Sequence, residues 1–214
     1  MQKIGFIFGI RVVFGFFILF TNSYEAYGAD TYSGRNNAAI NTAQNTSYLT
    51  SAEMQVIAEI NKARTNPPQF AEQYLAEWAG KSSNARECYE KMKRMTPREA
   101  LIPSFALSQA AKDFANESGR SGLVGSTGSD SSGLWTRIDK YGIWSGVVAE
   151  SISYGYDDPL TIIAQLLVDS KTSCGGQQEN ILNTGNRFVG VGMAAHKTYR
   201  YMCVIAFASD IKDK

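Results

Sequence analysis

The residues able to do chemistry are few. The chain of 214 residues carries one histidine, His196, and three cysteines, Cys88, Cys174 and Cys203. One imidazole excludes any site that needs two, and three cysteines with one histidine give no zinc-finger spacing. The cysteines allow three single-bridge pairings, each leaving one thiol over, and their spacing does not choose among them. Cys203 lies between apolar residues in a strand-like run, which favours a buried thiol or bridge partner over reactivity. His196 stands beside the turn Lys197-Thr198 and reads as a surface or loop residue. The stretch from Gly119 to Gly133, GRSGLVGSTGSDSSG, is a long loop of a kind more often functional than a plain connector. Trp135 and Trp144 follow it, and core packing beneath that loop is expected of them rather than ligand stacking.

The whole chain narrows the field further. Hydrophobic residues make up 44% and charged residues 19%, with a formal charge of +1. A disordered tail would be more polar, and a nucleic-acid module would show a basic excess. The length suits one domain with a sizeable core.

The N-terminus, MQKIGFIFGIRVVFGFFILF, places Lys3 and Arg11 ahead of the apolar run Val12 to Phe20. Small residues at Ala26 and Gly28 then fit a signal-peptidase site, so residues 1–28 read as a signal peptide cleaved after Gly28. The rival is an uncleaved anchor. Its uninterrupted apolar run is short of the about 20 residues a spanning helix needs, and extending it backward would bury Arg11. A stable membrane span after cleavage is therefore not expected. Cleavage takes away Lys3, Arg11 and Glu25 and leaves a formally neutral chain. Export permits disulfides to persist. The expected location is secreted or extracytoplasmic, in the periplasm or at the cell surface.

Elements able to position a site follow. Residues 29–48 are polar and aperiodic and read as a flexible leader, so the folded domain is expected over 49–214. Thr50 and Glu53 have capping-box spacing, and Met54, Ile57, Ile60 and Ala63 continue at helical spacing. Asn66-Pro67-Pro68 interrupts that helix. Phe70, Tyr74 and Trp78 line a second helix closed by Gly80, and residues 84–96 look helical again. Ser104 opens a helix with Leu107, Ala110, Ala111 and Phe114 inward, ending at Gly119. A short helical turn is expected from Trp135 to Tyr141 and a strand from Val147 to Tyr154. Asp158-Pro159 starts a helix through Asp169. Phe188–Ala195 and Tyr199–Ala208 are β-rich, with a hairpin turn between. Helices come first and strands last, which argues for α+β with antiparallel pairing.

This order of motifs resembles the CAP superfamily, the SCP-like extracellular domain of cysteine-rich secretory proteins, insect venom antigens and plant pathogenesis-related proteins. The matching segments are MQVIAEINKARTNP, ALSQAAKDFA, GLVGSTGSDSS, RIDKYGIWSG, VVAESISYG, QQENIL, FVGVGMAAH and YMCVIAFAS. The resemblance covers about residues 50–210. It implies an α-β-α sandwich with a central antiparallel sheet between helical layers. It also implies a cleft where many members set two histidines and two acids around a divalent metal. The first histidine falls on Ser126, the first acid on Glu150 and the second acid on Asp169. The second histidine falls on Gln177, with Gln178 in a neighbouring arginine's place. The asparagine that follows the first acid is Ser151 here, and a tryptophan often found before the second acid is Leu166.

By that correspondence both acids are kept and both histidines are lost. Neutral oxygen donors at Ser126 and Gln177 suit zinc poorly, although two carboxylates could hold Ca²⁺ loosely. Without imidazole the cleft lacks the side chain that titrates near neutrality. Glu150 could act as a base only if burial raised its pKa, and Ser126 has no evident base. The expectation is a non-catalytic binding or interaction module with Ser126, Glu150, Asp169 and Gln177 as ligand-binding positions, with no metal and no cofactor. The expected partner is an unidentified extracellular ligand, a lipid or sterol by family analogy, and not nucleic acid. The alternatives are a weak hydrolase using Glu150 and Asp169, and a structural or antigenic surface protein with a vestigial cleft.

Overall fold

A computed structural model describes residues 40–168 and 176–214. The signal-peptide reading, the start of the leader, Asp169 and Cys174 lie outside the described residues.

Helix α1 (Ser51–Thr65) starts at a complete capping box. Thr50 accepts from the Glu53 amide, and the Glu53 carboxylate accepts from the Thr50 amide. Asn66 then caps α2 (Pro67–Phe70) through its side chain, and Pro67 and Pro68 occupy first-turn positions where no amide donor is needed. The expected second helix is subdivided. A π-helical turn (Ala71–Leu75) separates α2 from α3 (Ala76–Ala79), which ends at Gly80. Helix α4 (Ser83–Lys93) buries Ala85, Cys88 and Met92. A two-residue strand, β1 (Ile102–Pro103), leads into α5 (Phe105–Ser121), which Ser104 caps. This helix runs past the expected stop at Gly119. It ends at Gly122, whose φ of +76° is the left-handed conformation that favours glycine. Gly119 serves packing instead, because a Cβ there would come within 2.2 Å of the Ala195 carbonyl oxygen.

The second half holds α6 (Leu134–Ile138), β2 (Gly142–Tyr154), α7 (Pro159–Val168), α8 (Gln177–Leu182), β3 (Phe188–His196) and β4 (Arg200–Asp213). The sheet order is β1-β3-β4-β2. β4 pairs antiparallel with both β2 and β3, as expected. The pairing of β1 with β3 is parallel, so the sheet is mixed at that edge.

Strand alternation divides the core into two layers. Cys203, Ile205 and Phe207 face Val56, Ile57, Ile60 and the α7 residues Ile163 and Leu167. Met202, Val204, Ala206 and Ala208 face the α5 residues Leu107, Ala110, Ala111 and Phe114. The fold is therefore α+β, with helices on both faces of the sheet. Helix α5 lies close on β3 because Gly190 and Gly192 lack side chains. Cβ atoms there would meet α5 backbone at 2.2 and 2.4 Å.

Two expectations need correction. Residues 40–48 are not part of a loose leader: Ile40 and Ala43 are buried. The Asn61 amide ties this segment down by donating to the carbonyls of Ile40 and Leu101 and to the Thr42 hydroxyl. A pattern of isolated apolar residues is too sparse to reveal this attachment. Trp135 is not in the core either. It is 59% exposed and lies over Gly133, whereas Trp144 is partly buried and donates to Asp139.

Candidate functional site

Glu150 sits on β2 opposite Ala206 of β4, with its side chain only 6% exposed. A carboxylate so placed needs a counter-charge, and Arg137 supplies it. Helix α6 buries Leu134, Arg137 and Ile138 along one face, so the guanidinium is carried inward with the apolar residues. Arg137 Nη2 donates to Glu150 Oε1 at 2.6 Å. Its Nη1 donates to the carbonyls of Ser126 (3.1 Å) and Ser132 (3.0 Å). The Phe114 ring lies 3.9 Å from the guanidinium carbon, which adds a cation–π contact. Glu150 Oε2 and Arg137 Nε are buried with no hydrogen-bond partner.

The pair sets the electrostatics of this region. Burial pushes the Glu150 carboxyl above its ordinary range, and the neighbouring Arg137 charge and hydrogen bond oppose that rise. The bond from the guanidinium makes Glu150 an acceptor and occupies its Oε1, while Oε2 stays buried and unpartnered.

The other expected site residues are placed as follows. Ser126 meets Glu150 only through Arg137. Its side chain is exposed, and its carbonyl is the group that is held. Gln177 opens α8, half-buried, with its Oε1 buried and unpartnered. One helical turn later, Asn180 Nδ2 donates to the Glu150 carbonyl at 2.9 Å and lies 3.4 Å from Ser151 Oγ. Glu150 is thus the point where loop, α6 and α8 converge. Gln178 turns elsewhere: its Nε2 donates to Leu167 O and Cys88 Sγ, and its Oε1 accepts from Lys91.

His196 is not the surface residue its position suggests. It is 2% exposed. Its Nδ1 accepts from the amides of Thr198 and Tyr199, which leaves Nε2 to donate to Leu123 O at 3.0 Å. Tyr154 hydroxyl bonds both the amide and the carbonyl of Gly125. The glycine-rich loop is therefore fastened by His196 and Tyr154 at one end and by Arg137 at the other. Cys88 and Cys203 are both free and buried. Burial lifts the Cys88 thiol to about 11 and pushes Cys203 up as well, so neither is a reactive thiolate near neutrality.

The family model of the cysteine-rich secretory proteins, CAP, matches residues 57–207. The chain belongs to that family. Two solved structures are similar in fold. An outer surface protein of Borrelia burgdorferi has 18% identity and a TM-score of 0.45, over 64% of this chain and 95% of that one. An extracellular SCP-domain protein of Bacillus anthracis has 12% identity and a TM-score of 0.42, over 62% of this chain and 39% of that one. No curated protein matches.

Among the described residues, those at the corresponding positions do not fit the metal implied by the CAP resemblance. Arg137 brings a fixed positive charge onto Glu150, the acid that would face the ion, and Ser126 offers a carbonyl already engaged by the same guanidinium. Among the described residues no three His, Cys, Asp or Glu side chains are grouped to hold a metal. Reading the sequence singles out Glu150 but misses Arg137 and Asn180. The available signal for Arg137 is a cation in step with Leu134 and Ile138, at the inward spacing of an otherwise apolar turn.

Proposed function

We propose that this CAP domain is a secreted, non-catalytic binding module, and that its cleft is held closed to metal by an internal cation. The observation carrying this reading is the buried Arg137–Glu150 pair, 3% and 6% exposed. It ties one oxygen of the acid to the guanidinium that holds the loop, and that guanidinium reaches Ser126 through its carbonyl rather than its hydroxyl. Among the described residues no helix is long and apolar enough to cross a membrane. Family analogy favours an extracellular ligand such as a lipid or sterol.

The test has two arms. Turnover of a peptide library by wild type and Glu150→Gln should show no component that depends on Glu150. Loss of a measurable activity in Glu150→Gln, with the fold retained, would establish the hydrolase alternative. Lipid extraction from the purified protein should return sterol or fatty acid above background; a blank result would remove the lipid version of the reading.

A further inference from the structure

The face behind α1 carries positive charge that no contact among the described residues neutralises. Arg64 is 1% exposed, and among the described residues its guanidinium donates only to main-chain carbonyls: Glu99 (2.8 Å), Ile181 (2.7 Å), Asn183 (2.9 Å) and Asn186 (3.3 Å). Buried charges normally have a counter-ion. Among the described residues none bonds to it, and Arg98 lies close enough to repel it, with Glu99 the opposing charge. Burial and that repulsion lower Arg64 to about 10.

One of its acceptors, Asn183, is also a wall of a surface cavity of about 400 Å³. Lys91 and Arg98 line the same cavity, with Met95 and Leu182 giving it an apolar patch. Lys91 is steered there by its 2.8 Å bond to Gln178. The Arg98 side chain makes no hydrogen bond or ion pair among the described residues. Against these three cations stand Glu179 on the wall and Glu99 beside Arg64, which leaves the site net positive.

We propose that this cavity binds a small organic oxyanion, a carboxylate or phosphate ester. Its charged head would lie between Lys91 and Arg98, and its short carbon skeleton against Met95 and Leu182. The volume falls within the range of small-molecule sites, and guanidinium with ammonium matches oxyanion geometry. Arg64 acts through the wall as a fixed charge that does not touch the ligand.

Calorimetric titration with inorganic phosphate and with hexanoate tests the proposal. At least one probe should saturate below about 10 mM, with affinity falling as salt rises. Arg98→Ala and Lys91→Ala should each weaken it about tenfold, and Glu179→Gln should tighten it. Arg200→Ala, on the β3–β4 hairpin, and Glu150→Gln, in the cleft, should leave it unchanged, which separates this site from the cleft reading. Thermal melts of the variants confirm folding. Tighter hexanoate binding would assign the carboxylate class, and tighter phosphate binding the phosphate class. Failure of both probes to saturate, or binding indifferent to Lys91→Ala with Arg98→Ala, would overturn it.

Discussion

Replacing Arg137 by methionine would strand the Glu150 carboxylate in an environment that already raises its pKa. The expected cost is about 3–5 kcal/mol, read as a lower urea midpoint. The double variant Arg137→Met/Glu150→Leu should recover most of that loss. Two buried atoms of the pair lack partners, and apolar replacements of buried pairs are often neutral. If the double variant is as unstable as the single one, the carbonyl bonds of Arg137 to the loop matter more than its charge pairing. At this scale Glu150 is legible through family correspondence alone. Arg137 stays hidden because its partners, Ser126, Ser132 and Glu150, come from different segments, and local spacing shows no such convergence. The burial of His196 escapes a local reading for the same reason, since its acceptor is the Leu123 carbonyl on a distant loop.

Elements whose determinants are local are legible. The capping box at Thr50 and Glu53, the proline start of α2 and the serine cap of α5 stand where the residue types place them. Thr50→Ala should cost about 1 kcal/mol, measured by chemical denaturation, through loss of that cap. Element ends set by tertiary contact are not legible: α5 passes Gly119 because that glycine admits the Ala195 carbonyl. The same logic makes Gly190 a sharp probe. Gly190→Ala would drive a methyl group into the backbone of Leu107 and Ser108 and push α5 off the sheet. A loss of about 1–3 kcal/mol or more is expected from such overpacking. A neutral outcome would show that α5 can shift freely on β3.

Across the whole molecule, helices preceding strands and the apolar run of β4, buried on both faces from Met202 to Ala208, make the α+β class readable, whereas the parallel β1–β3 edge, only two residues long, leaves no pattern. The buried thiols give the domain an alkaline limit. Cys88 is raised to about 11 in the folded protein, so its contribution to stability is full below the ordinary thiol value and is lost as pH rises through about 11. Cys203 and Tyr48, the latter raised to about 12, act in the same direction. Stability from urea denaturation should fall between pH 8 and pH 11, by up to about 2 kcal/mol from Cys88, and less steeply in Cys88→Ala. The central claim is that Arg137 excludes a metal from the CAP cleft. Calorimetric titration of the protein with Zn²⁺ addresses it most directly. The account expects no binding at micromolar concentrations, whereas micromolar or tighter binding abolished by Glu150→Gln would contradict it.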